Sequence, residues 1–264
     1  MLSQRDMNEL RQAYDILEHP GFRIKAMNAI GKPIEKGIEL LPDSLEHQIA
    51  KACNVALGKA ADFALFTLQD AGDEKPSNWF HRMSVWATGA LGGFGGLPGT
   101  LVELPVSTTL MLRSIFDIAK GEGENIYDPA TKLAALEVFA LGGNNKNDDL
   151  ADTAYYSVRM AMAMEVQTAY RFLTQSSGKL IDKNAPTLIQ LIQKIAARFC
   201  IPVTEKAVAQ AIPVISAGIG AMLNDIFIAH FQDMAHGHFT VRRLERKYGK
   251  DIVERTYNSF HKPK

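Results

Sequence analysis

With 264 residues, 47% of them hydrophobic and 22% charged, the chain is long enough to bury a core and has an ordinary globular composition. Its 29 basic and 29 acidic residues cancel, so no overall field favours nucleic acid or an acidic substrate. Two cysteines far apart in sequence, Cys53 and Cys200, show no metal spacing and point to reduced thiols in a cytosolic compartment. The charged, amphipathic N-terminus lacks the apolar region of a secretory signal.

Nearly every periodic segment predicts helix. Ser3 caps a first helix that His19-Pro20-Gly21 ends. Pro42-Asp43 opens a long second helix, with Asp43 and Glu46 in capping-box spacing and Ile49, Cys53 and Leu57 on one stripe. After the polar linker Ala71–Asn78 a helix begins near Ser77. Pro98 then sits in the first turn of a helix reaching about Lys120, where Gly121-Glu122-Gly123 stops it. Asp128-Pro129 starts a helix through Leu141, ended by Gly142-Gly143. Asp149 caps a Met- and Ala-rich helix to Gln175, and Ser176–Pro186 forms a second linker. The remaining helices are expected over Thr187–Phe199, Thr204–Met234 and Thr240–Tyr257. No period-two alternation or Asn-Gly hairpin turn supports strands. The expected fold is all-α, with an N-terminal helical segment over 1–75 packing on a helical domain over 76–264.

Two long apolar stretches stand out, MSVWATGALGGFGGLPGTLV before Glu103 and AVAQAIPVISAGIGAMLN before Asp225. Both approach the length of about 20 residues that spans a bilayer. Six glycines between Gly89 and Gly99 argue for a broken helix or a very close helix contact, and Pro213, Ser216 and Gly218 repeat the theme. The two stretches are expected to pack as a central Gly/Pro-broken pair. A phosphate-binding loop is excluded, because the Gly-Lys-Ser/Thr ending and the preceding strand are both missing.

Carboxylates stranded among aliphatic residues must be paired, hydrogen-bonded or protonated. Glu103 shares a stripe with Ser107, Ser114 and Asp117, and Arg113 stands one helical turn before Asp117. A polar cluster joining Glu103 to Asn224 or Asp225 is expected, and Glu137 and Glu165 are candidate members. Glu103 and Asp225 are the candidate catalytic acids. His230 and Asp233, one turn apart, are a weaker candidate metal pair, while Asn147, Asp148 and Asp149 lack a calcium-loop pattern. No cofactor is otherwise implied. No G-x-S-x-G elbow or H-E-x-x-H motif occurs.

The segments GGFGGLPGTLVELPVSTTLMLRSIFDIA and LEVFALGG, the Tyr155/Arg159 helix and IPVISAGIGAMLND together resemble the EcsC family, over roughly Trp79 to Tyr248. The resemblance implies an all-α, intracellular or membrane-associated protein linked to an ABC transporter, and implies no defined chemistry. The leading expectation is a cytoplasmic protein peripheral to the inner face of the cell membrane. Its partner would be the membrane surface or a transporter. Trp86, Phe94 and Leu97 would touch lipid, and Arg242 and Arg243 would meet anionic headgroups. The rival expectations are a hydrolase using Glu103 and Asp225, and an apolar-ligand or lipid-binding pocket lined by Met160–Met164.

Overall fold

The computed structural model describes residues 2–19, 21, 26, 38–69, 97–143, 154–175, 185–211 and 217–261. Among them run eight helices and no strands. They are α1 (Gln4–Glu18), α2 (Asp43–Gln69), α3 (Leu97–Gly121), α4 (Pro129–Leu141), α5 (Ala154–Gln175), α6 (Pro186–Ala211), α7 (Ala217–Tyr248) and α8 (Lys250–Asn258). The fold is all-α, as the periodicity predicts.

Local chemistry explains most of the ends. The Ser3 hydroxyl accepts the Asp6 N–H at 3.2 Å, and the Asp128 carboxylate accepts the Ala130 N–H at 2.9 Å ahead of Pro129. At α2 the N–H groups of Leu45 and Glu46 go to the Pro42 carbonyl, so Asp43 lies inside the first turn instead of capping it.

Three boundaries differ from expectation. The helix expected to stop at Phe199 continues through Pro202 to Ala211; proline deprives only the Arg198 carbonyl of its helical donor. The next expected break, between Met234 and Thr240, is absent. Instead α7 carries His236-Gly237-His238 in its middle, because Met234, Ala235, Phe239 and Val241 are all buried against neighbours. That burial outweighs the cost of one helical glycine, about 1 kcal/mol. The break comes at Gly249, whose φ of +88° side-chain-bearing residues rarely adopt.

At the centre of the described bundle lies α4. Residues 131–141 are buried without exception, so this helix must be wrapped on every side, and α2, α3, α5, α6 and α7 all pack on it. Phe139 meets Phe199 at 5.2 Å and Phe231 at 5.4 Å between ring centres. Burying each such ring contributes roughly 2–3 kcal/mol. The last carbonyls of α4 are capped from neighbouring helices. Arg198 donates through Nε to Ala140 at 3.0 Å and through Nη2 to Gly143 at 2.8 Å, and His230 Nε2 donates to Gly142 at 3.0 Å.

The glycine-rich half of the first apolar stretch, with Trp86 and Phe94, falls outside the described residues, as do Pro213, Ser216 and Asn147–Asp149. So does the side chain of Leu97, which begins α3. The helices into which the two stretches run, α3 and α7, pack against each other, with Gln232 donating to Ser114 at 3.0 Å. Among the described residues no helix is long and apolar enough to cross a membrane.

Candidate functional site

The expected acid cluster forms around a residue that sequence reasoning passed over. Lys206 on α6 sets Nζ 3.7 Å from Glu103 on α3 and donates at 2.8 Å to Asn224 Oδ1 on α7. Its ammonium also lies 4.7 Å from the Phe227 ring centre. Lys206 is only 1% exposed; burial pulls its pKa down while Glu103 opposes the shift. The overlooked signal was position, since Lys206 is the last charge before the uncharged run that starts at Ala207. Asp225, Arg113 and Asp117 are exposed, and Ser107 spends its hydroxyl on the Leu104 carbonyl at 3.1 Å. The structure thus brings together Glu103 and Asn224, through Lys206.

His230 is buried and committed to the Gly142 carbonyl, a capping role in place of the metal-ligand role considered for it with Asp233. Among the described residues no group of three or more His, Cys, Asp or Glu side chains is placed to hold a metal ion. Glu165 pairs with Lys194 at 2.5 Å. Arg242 pairs with Glu124 at 2.8 Å, and Arg243 with Glu122 and Glu9, each at 2.6 Å. Both arginines therefore face carboxylates that already answer their charge.

A larger polar centre joins α5 to α7. Arg159 grips Glu245 through two parallel hydrogen bonds, Nη1 to Oε1 at 2.8 Å and Nη2 to Oε2 at 3.0 Å. Tyr156 donates to the same carboxylate at 3.1 Å. Arg159 also donates to the Tyr155 hydroxyl at 3.1 Å, and that hydroxyl meets His238 Nδ1 at 3.0 Å. The Tyr155 contact engages only Nδ1 of His238, whose Nε2 is buried without a hydrogen-bond partner among the described residues. Burial and the neighbouring guanidiniums hold the His238 pKa well below the ordinary value, so the ring stays neutral. Glu18 closes the far side, accepting from Tyr257 at 2.9 Å and from the Tyr155 N–H at the start of α5 at 3.2 Å.

Above this centre opens a cleft of about 640 Å³ between α4, α5 and the ends of α7 and α8. Its apolar lining includes Leu133, Met160, Met164 and Val166, its polar lining Glu137, Tyr156, Arg159 and Arg242, with Gln167, Lys250 and Glu254 also on the surface of the cleft. Two of the walls are unusually bare for their size: Met160 is 69% exposed and Met164 74%. Glu137 is 7% exposed, and burial pushes its pKa from 4.5 to about 7. The expected signature follows from linkage. A carboxyl whose folded pKa is raised favours the fold at low pH, and that support is lost as pH rises from about 4.5 to 7. Across that window the native protein should lose up to about 3 kcal/mol relative to Glu137→Gln. Parallel stability–pH curves for the two proteins, from urea melts, would show that Glu137 ionises as freely folded as unfolded.

The sequence quotation that best foreshadows this centre is the Tyr155/Arg159 helix. Arg159 is the sole charge between Ala154 and Met164 on a Met- and Ala-rich helix, a signal as strong as that of Glu103. The model of the EcsC protein family matches residues 4–244, which adds α1 and α2 to the span of the motifs alone. No curated protein and no solved structure matches the chain.

Proposed function

The chain belongs to the EcsC family, and for this member we propose a binding role: it takes a single-chain amphipathic, lipid-like molecule in the cleft between α4 and α5. The observation that carries the reading is the pairing of exposed methionines with a buried polar floor in one cleft. Met160 and Met164 offer flexible, polarizable apolar surface, the kind that moulds to a variable hydrocarbon. A volume of about 640 Å³ lies inside the usual small-molecule range. Beneath the walls, Glu137 keeps its proton up to about pH 7 and can donate it to a headgroup oxygen. The same rim suits brief contact with a membrane surface, where such ligands reside; we place the protein there as a peripheral visitor.

This reading favours binding over hydrolysis because Glu103 is engaged by Lys206 and Asp225 is exposed, away from a shared buried site. The test is titration with a fluorescent long-chain fatty acid. Saturable binding is expected, with Met164→Asp weakening it at least about tenfold by placing a charge on the hydrocarbon path. The melting temperature of that variant should stay put, since an exposed side chain carries little packing. Absence of saturable binding to fatty acid and lysophospholipid alike would overturn the reading.

A further inference from the structure

Cys53 and Cys200 are distant in sequence, yet α2 and α6 pack together and set the two thiols beside each other. Both are free. Cys53 is fully buried on the stripe with Ile49 and Leu57, while Cys200 is half-buried and reachable from solvent. We infer that the pair is a redox-modification site, at which a small disulfide oxidant converts the two thiols into an intramolecular disulfide that staples α2 to α6.

The asymmetry in exposure sets the order of events. Cys200, the reachable sulfur, attacks one sulfur of the oxidant as its thiolate; the S–S bond of the oxidant breaks and one small thiolate leaves. Cys53 then attacks the Cys200 sulfur, the second small thiolate leaves, and that thiolate takes up the proton that Cys53 gives up. Two protein thiols are oxidised and one small disulfide is reduced to two thiols. The neighbouring Cys200 thiol and burial together hold the Cys53 thiol protonated far above its ordinary range. The closing step is therefore the slow one, and a mixed disulfide at Cys200 precedes it.

A disulfide here would close a long loop, which constrains the unfolded chain strongly. Such a bond would be transient in a reducing compartment, as disulfides of intracellular proteins generally are. The inference does not depend on the ligand-binding reading.

The test exposes the native full-length protein to 2-hydroxyethyl disulfide and follows intact mass and thiol count. The expected course is a transient adduct, then a product about 2 Da lighter than the reduced protein with no free thiol. A peptide joining Cys53 to Cys200 should appear in a non-reducing digest, and dithiothreitol should reverse it. The melting temperature of the oxidised form should rise by roughly 5–10 °C. Cys200→Ser should abolish both the adduct and the rise. A stable adduct at Cys200 that never resolves would overturn the inference, and so would two thiols that stay unreacted until the protein is denatured.

Discussion

Arg159→Met is expected to lower the stability of the protein by about 3–5 kcal/mol, the largest effect of any single substitution considered. The reason is the carboxylate left behind. Glu245 is only 11% exposed at its side chain and would lose both guanidinium bonds, keeping only the Tyr156 hydroxyl at 3.1 Å. A buried charge without a counter-charge costs far more than the pair itself contributes. The double variant Arg159→Met/Glu245→Leu should therefore recover most of the loss, since it removes the stranded charge and keeps comparable volume. Urea melts read this directly, as a fall in midpoint at constant slope for the single variant and its partial return in the double. A single variant within about 0.5 kcal/mol of the native protein would show that the pair does not hold α5 to α7.

Gly143→Ala should cost about 2–4 kcal/mol, through a clash with backbone that no rotamer can relieve. A Cβ at this position would lie 2.4 Å from the Arg198 carbonyl oxygen and 3.1 Å from its carbon. Pro202 has already stripped that carbonyl of its helical donor, and the chain after α4 passes directly against it. To make room, α6 or the end of α4 must move, an overpacking cost of about 1–3 kcal/mol. The Arg198 hydrogen bonds to Ala140 and Gly143 would lengthen as well, adding about 1 kcal/mol. Gly58→Ala is the matched control, because it sits on α2 with nothing within 4 Å of the new methyl. It should stabilise by up to about 1 kcal/mol. Thermal melts of the two variants, moving in opposite directions from the native protein, check both expectations. Equal small shifts would mean that the approach of residue 143 to Arg198 is loose.

How much of the molecule was readable in advance depends on the range of the forces involved. Ser3 and Asp128 announce their helices because a cap acts on N–H groups two or three residues away. The breaks expected at Phe199 and between Met234 and Thr240 are absent for the opposite reason. Pro202 and Gly237 carry local penalties, but the burial of Phe199, Val203, Phe231 and Phe239 by other helices overrules them. The buried position of Glu103 is visible from its aliphatic neighbours, whereas Lys206, its partner, lies on another helix. Likewise Arg159 stands in the sequence only as part of a family motif, and its grip on Glu245 spans two helices far apart along the chain.

Helix content, the caps of α1 and α4 and the family itself follow from residues acting on near neighbours or from motifs read in order. Those interactions exist in the chain before it folds. Which charges pair, which carboxyl keeps its proton and which thiols meet are properties of the packed bundle. Desolvation depends on every helix that covers a group, and α4 draws five of them around itself. For that reason Glu137, Lys206 and the Cys53–Cys200 contact acquire their chemistry only when the helices assemble.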